Sequence, residues 1–572
     1  MRQISLLYLV CVFSLLKAQT LPANVTYTYS ELISNYEALA SAHAEAKLVE
    51  IGKSDVGKPI HLLIISKEGI EKPEDLKDNS RSVVFINNGI HPGEACGINA
   101  SFELAQEILK NKETNQELFE NTVLLIIPVY NVGGMLNRGS FSRANQNGPK
   151  EYGFRGNAKN LDLNRDFIKC DSKNAKTFNR VFTSWNPDIF IDTHTTNGSD
   201  HQYTLSIIAS QKDKLNPIIG EFMNEKMLPG VYTSLKQKGV ETTPYVYSIH
   251  KSPDSGIMGF LETPRYSSGY AALFNCFSFI TEAHVYKPFQ ERVNHTKVFL
   301  ESMIHFAIKN NSDIKEARKR ANEYSLKQST FSLNWTLDTS VYSKIDFKGY
   351  EVINRKSEVT GQEMRFYDTQ KPYNKSIKNY NTYKAIISVT KPKFYVFSQA
   401  YDEVINRLEW NKIDYQTILS DTIMQVEAYY IEDYKSPKSP YEAHFLHSAI
   451  QVRKETQKIQ FFKGDVLVAS NQKNIYYLMH VMEPQSVDGF FAWNFFDGVL
   501  QQKEWFSDYA FEPIAEQMLK EDKDLAKEFR IKKENDSEFR TNNFAQLYYI
   551  YKRSRYFEKS AYRFPIYRIE IK

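Results

Sequence analysis

The sequence predicts an α/β fold for the first half of this chain, a mixed, mostly parallel sheet flanked by helices, followed by a second, strand-rich α+β domain. Three observations carry that prediction. From about residue 25 to 310, short apolar runs alternate with helical patterns. Polar residues with chemical capability cluster just after those runs, where ligands of open α/β sheets bind. Beyond about residue 385 the pattern shifts to short alternating segments such as FYVFS, IQFFKGDVLVAS and YRFPIYRIEIK, with helical pieces such as AYDEVINRLEWN.

The elements follow in order. The opening MRQISLLYLVCVFSLLKAQT has a basic start at Arg2, an apolar stretch from Ile4 to Leu16 and a small Ala18. That is the order of a secretory signal peptide, residues 1–18, and predicts export to the periplasm or the cell exterior. The stretch is shorter than the roughly 20 apolar residues of a membrane span, and no later run reaches that length. Val10 stands before Cys11 where a lipoprotein signal would have a small residue. Removing this segment leaves Cys96, Cys170 and Cys276. Three cysteines allow at most one internal disulfide, and all three read as buried, small apolar side chains.

VVFIN at 83–87 is a buried strand, followed by the helical pattern GINASFELAQEILKN. VLLIIPVYN at 123–131, IFIDTH at 189–194 and FSFITEAH at 277–284 are further strands. These make residues 19–310 one domain. Residues 311–385, which open on the charged helix KEARKRANEYSLKQ and continue as a polar stretch, read as a junction, and 386–572 as the second domain. A chain of 572 residues is too long for a single core. A formal charge of +4 over that length gives no reason to expect nucleic acid or an acidic membrane as partner.

The chemistry starts at His91-Pro92-Gly93-Glu94, directly after the first strand. Two metal-ligating side chains three positions apart on a tight loop can face one ion, with Gly93 letting the backbone turn between them. A catalytic zinc takes three protein ligands and keeps an open position. His194, at the end of IFIDTH, is the third candidate, because that strand opens on the same sheet edge. Glu282, at the fourth strand end, suits a general base toward zinc-activated water. Asn164 and Arg165 in NLDLNRDF set a neutral amide beside a planar cation, a pair suited to gripping a carboxylate. Asp162 is placed to hold the second nitrogen of His91. Arg143 is the candidate oxyanion partner, with Arg138 and Arg155 as competitors nearby.

Taken in order, His91-x-x-Glu94, DLNRD, His194 in DTHT and Glu282 in ITEAH resemble the carboxypeptidase A-like zinc peptidases, in particular exported bacterial members with a C-terminal extension. The upstream VEIGKSDVGKPIHLLIIS also looks like the strand pair that opens that family's domain. The resemblance covers residues 25–310. It implies one Zn²⁺ per chain on His91, Glu94 and His194, Glu282 as base, and Asn164 with Arg165 on the substrate's terminal carboxylate. It also implies a substrate-facing tyrosine: Tyr270, or its neighbour Tyr266 in PRYSSGYAAL. The implied substrate is a peptide, or a peptide-like molecule, with a free C-terminus.

Each residue also has a plain reading. His91 and His194 alone would be hydrogen-bonded loop histidines, Arg165 a surface ion pair and Glu282 a solvated carboxylate. His201 and His284 read as cleft-lining residues. Glu442, His444 and His447 in YEAHFLH, with no further ligand or base in view, read as structural, and FFAWNFF at 490–496 as core. Asn24, Asn334 and Asn535 head Asn-x-Ser/Thr triplets, which matter only where the source glycosylates. Two rival functions remain: a zinc amidase or deacylase acting on cell-wall peptides or N-acyl amino acids, and an exported binding protein with a relic peptidase domain. An intact set of ligands, base and carboxylate grip argues against the relic.

Overall fold

The computed structural model describes residues 21–77 and 80–570. The signal peptide expected at 1–18 lies outside these described residues. The chain divides into two compact units. One comprises the chain up to Lys327 together with Trp335–Ala385, and the other Gln328–Asn334 with Ile386–Lys572.

In the first unit, β1 (Ala46–Lys53), β2 (Pro59–Ile65), β3 (Ser82–Asn87), β4 (Thr122–Ile127), β5 (Ile189–Thr196), β6 (Leu205–Ala209) and β7 (Thr242–Pro244) precede the short β8 (Ile257–Met258) and β9 (Phe277–His284). All but β8 join one sheet in the order β1-β2-β4-β3-β5-β9-β6-β7. The central pairs β4–β3, β3–β5 and β5–β9 are parallel. The β1–β2, β2–β4 and β9–β6 pairs are antiparallel. Every residue of β3 and β4 is buried. Continuous apolar strands of this kind need cover on both faces.

Helices supply the cover. Phe178 and Phe182 of the helix Lys173–Trp185 stack on Phe85 of β3, whose register partner Phe190 meets the same rings edge-on. Burying each such ring stabilises the fold by about 1.5–3 kcal/mol. The helix Cys96–Lys110 lies close against Thr193 of β5: a Cβ on Gly97 would sit 1.9 Å from its Oγ1. Residues 190 and 193 point to opposite faces of one strand, so the two helices bracket the sheet.

Residues 311–385 hold the helix Asn311–Lys327, β10 (Thr330–Leu337) and a long hairpin, β11 (Ser343–Lys356) with β12 (Glu363–Tyr380), followed by β13 (Tyr383–Thr390). The end of β12 pairs with β8 in a three-stranded sheet.

The second unit is built on a six-stranded sheet of β14 (Phe394–Phe397), β15 (Gln416–Thr417), β16 (Thr422–Lys435), β17 (Ser448–Phe461), β18 (Val466–Ala469) and β19 (Ile566–Ile569), in the order β15-β18-β14-β19-β16-β17. The helices Asp508–Glu521, Lys523–Asn535 and Asn543–Tyr551 contribute to a separate apolar cluster around Phe511, Leu547 and Tyr551. Phe490, Phe491, Trp493 and Phe496 are buried, as FFAWNFF led one to expect.

Candidate active site

Three neighbouring parallel strands deliver the candidate residues to one edge. His91 follows β3, His194 lies near the end of β5, and Glu282 on β9 is the register partner of His194. The neighbours β4 and β5 lie on opposite sides of β3, so the chain leaves this edge in two directions and opens a crevice there. Glu94 N–H donates to His91 C=O at 2.8 Å and closes the turn that brings both side chains to the same side. Gly93 serves this turn differently from the sequence expectation. It is not among the residues with positive φ; it is needed for space, since a Cβ there would stand 2.4 Å from Arg143 Nε and 2.8 Å from the Gly153 carbonyl.

Donor atoms of His91, Glu94 and His194 lie within 4.8 Å of one another, and all three residues are buried. Each imidazole turns Nδ1 toward Glu94, at 3.2 Å for His91 and 3.0 Å for His194. Each donates from Nε2 to a carboxylate: Asp162 Oδ1 at 2.9 Å and Asp192 Oδ2 at 2.8 Å. Two imidazoles and a carboxylate, with further carboxylates fixing the tautomer and angle of both rings, form a set that fits zinc. Asp162 matches the sequence expectation. Asp192 was missed, although its spacing is informative: two residues before His194 on one strand, it must share that face.

Electrostatics follow the geometry. Burial works against ionisation of Glu94, but His91, Arg143 and His194 outweigh it and hold the carboxyl well below its usual range. Burial likewise opposes charge on His194, and Asp192 with Glu94 overrides it, raising the imidazole well above its ordinary value. A metal binding there must displace that proton. Glu282 differs: burial pushes its carboxyl up to about 8, against the pull of His194. Two neighbouring carboxyls are thus driven apart, one toward a ligand's charge and one toward a base's proton affinity.

These groups open on a cleft of about 540 Å³ that also includes Arg143, Arg155, Asn164, Arg165, Tyr245 and Tyr266, with Ile208, Phe260 and Ile280 as an apolar wall. Arg143 donates to Glu94 Oε1 at 2.9 Å. Arg155 donates to Asp162 and reaches within 3.3 Å of His91 Nδ1. Arg138 is directed elsewhere, to the carbonyls of Thr26 and Tyr27. The Arg165 guanidinium lies 4.4 Å over the Tyr266 ring.

Tyr270, nominated from the sequence, is not brought to the cleft. It is fully buried among Phe167, Phe182 and Phe274, because the short helix Ser267–Ala272 turns it into the aromatic core while Tyr266, at the helix start, stays on the cleft. Tyr245, whose hydroxyl meets Thr196 Oγ1 at 3.2 Å, had no signal in the sequence. His201 and His284 pack ring against ring at 4.3 Å and do not line the cleft. In the second unit His447 donates to Asp497 and His444 meets Trp493 edge-on. Among the described residues, only His91, Glu94 and His194 form a three-donor cluster.

The sequence model of a family described as zinc carboxypeptidase matches residues 32–255. Carboxypeptidase 2 of Trichophyton tonsurans is 22% identical over 454 residues, covering 77% of this chain and 78% of its own. That span is longer than the first unit, so the match takes in part of the second. Carboxypeptidase B of Astacus astacus is 27% identical over 109 residues, 19% of this chain and 33% of its own. Among solved structures, a metallo-carboxypeptidase of Pseudomonas aeruginosa aligns with a TM-score of 0.38 at 15% identity, over 50% of this chain and 70% of its own. Carboxypeptidase A of Helicoverpa armigera aligns at 0.37 and 17%, over 50% and 75%.

Proposed function

We propose, given that this chain belongs to the zinc carboxypeptidase family and is a metallocarboxypeptidase, that it removes C-terminal residues, preferably apolar ones, from peptides at the cleft around His91, Glu94 and His194. The observation that carries this reading is one cleft holding all the required parts: the three-donor cluster, Glu282, and the Asn164–Arg165 pair.

His91, Glu94 and His194 would hold one zinc, which would supply Lewis acidity toward the attacking water and the scissile carbonyl. Glu282 accepts the water's proton and passes it to the leaving amine. Its raised affinity for that proton suits both halves of the exchange. Asn164 and Arg165 grip the free carboxylate, which restricts cutting to the chain end, and Tyr266 supports the plane of Arg165. Arg143 stabilises the developing oxyanion, and Arg155, which also lines the cleft and reaches the same Glu94 oxygen, is its competitor for that task. Asp162 and Asp192 hold the two imidazoles in their ligating orientation. Ile208, Phe260 and Ile280 favour an apolar terminal side chain; the acidic residues among the described lining residues are Glu94 and Glu282, which this reading gives to the metal and to proton transfer. The segment 1–18 directs export, so the substrates are periplasmic or extracellular peptides. Among the described residues no helix is long and apolar enough to cross a membrane.

Metal analysis of the mature protein beside a His91→Ala/His194→Ala variant tests this, with a mixed C-terminal peptide library assayed on both. About one zinc per chain is expected, with trimming of apolar ends that chelator and the double substitution abolish. Zinc without trimming would transfer the site to amide bonds of other molecules, and absence of zinc would remove the site.

A further inference from the structure

We infer that Ser267 is a positioning residue that ties the carboxylate-gripping half of the cleft to its metal-binding half; the inference rests on the reading above. Ser267 is fully buried and is the first residue of the helix Ser267–Ala272. Its two polar groups point in different directions. The backbone N–H donates to Asn164 Oδ1 at 3.0 Å. The side-chain Oγ donates to Asp192 Oδ2 at 2.5 Å, the same oxygen that accepts from His194 Nε2 at 2.8 Å.

Each bond has a consequence. An Asn side chain can present either its oxygen or its NH₂ to a ligand, and only the NH₂ end is of use against a carboxylate. The Ser267 N–H occupies the oxygen, which leaves the NH₂ to donate. On the other side, two donors converging on one Asp192 oxygen, with Asn87 Nδ2 at 3.4 Å from the other, fix the plane of that carboxylate. A fixed Asp192 fixes the rotation of His194, and so the direction of its Nδ1. The preceding residue completes the arrangement, since the Tyr266 ring lies under Arg165. Two adjacent residues therefore set Asn164, Arg165 and His194 together, although none of the three is close to another in the chain apart from Asn164 and Arg165.

The two bonds can be cut in steps. Ser267→Ala removes the hydroxyl and keeps the N–H. Ser267→Pro removes both, at a first helical position where proline is well tolerated. Tyr266 already has the extended conformation, φ −83° and ψ 154°, that a residue before proline adopts. Zinc affinity is read by chelator competition, and kcat and KM on zinc-saturated enzyme with a blocked dipeptide ending in phenylalanine. Ser267→Ala should weaken zinc about tenfold and leave KM within about twofold. Asp192→Asn should weaken zinc at least as much, and adding Ser267→Ala to it should weaken zinc no further, since both act through one path. Ser267→Pro should match Ser267→Ala in zinc affinity and raise KM about tenfold beyond it, through the freed Asn164 amide.

Wild-type zinc affinity in Ser267→Ala would overturn the inference, and so would a Ser267→Pro KM no higher than that of Ser267→Ala. Should Ser267→Pro not fold, the zinc affinities of Ser267→Ala and Asp192→Asn decide alone. A wild-type protein that holds zinc but trims no peptide refutes the proposed function instead, and leaves the zinc comparison readable.

Discussion

Both units bury charge, and they do so to opposite ends. In the first, His91, Glu94 and His194 turn their donor atoms toward a common point beside a cleft. In the second, Arg568 and Glu483, almost fully buried, face each other at 3.6 Å. Tyr395 and Tyr429 donate to the two Glu483 oxygens at 2.6 and 2.8 Å, and Arg568 donates to Tyr429 and, at 2.7 Å, to the Thr390 carbonyl. The second cluster sets acid against base and hydroxyl against carboxylate, whereas the first turns three possible metal donors toward one point. Buried charge alone is therefore no sign of a site. What distinguishes the two is whether donor atoms of three possible metal ligands converge on one point.

The comparison is sharpened most by Glu282→Gln, which removes the proposed base and none of the three proposed ligands. It should lower kcat about 10⁴-fold while zinc stays near one per chain, checked by metal analysis and single-turnover assay. Unchanged turnover would remove Glu282 from the reaction. Next, Glu483→Ala takes the acceptor from the Tyr395 and Tyr429 hydroxyls and the most deeply buried of three carboxylates from Arg568, which keeps Glu427 and Glu570, and should cost about 1–3 kcal/mol in urea unfolding, with zinc content of the folded protein unaffected. Gly97→Ala should cost about 1–3 kcal/mol, because its methyl group meets Thr193 beside His194.

The smallest effect concerns the His201–His284 pair. Burial holds both imidazoles below their ordinary value, His201 well below. The unfolded chain takes up these protons near pH 6.5 while the folded chain does not, so the unfolded state binds more protons in that window. Stability is complete above about pH 6.5 and is lost as pH falls from there through the folded values, by up to about 1.4 kcal/mol per pH unit for each proton. Urea midpoints between pH 7.5 and 5 should show this slope, and His201→Gln should flatten it.

The first unit was legible where local pattern and three-dimensional role coincide. Continuous apolar runs marked β3, β5 and β9, and the residues at or near their ends are the candidate ligands and the candidate base. Legibility failed where the outcome depended on which way a short helix turns: Tyr270 and Tyr266 are four residues apart, and only the structure separates core from cleft. Asp192 was readable in principle from its period-two spacing to His194. Ser267 was not, because its role is created by partners 75 and 103 residues away. The hairpin β11–β12 was read as a polar stretch, since strands exposed on much of both faces lack the apolar alternation that announces a strand.

The register of β9 against β5 has one further consequence. His194 and Glu282 face the same cleft because they are direct partners across that pair. A slip of one residue would swing Glu282 to the far side of the sheet, along with every other side chain of the strand. Turnover is thus a proofreading signal for assembly: a chain that threads β9 one step out of place produces a well-buried sheet and an inert enzyme.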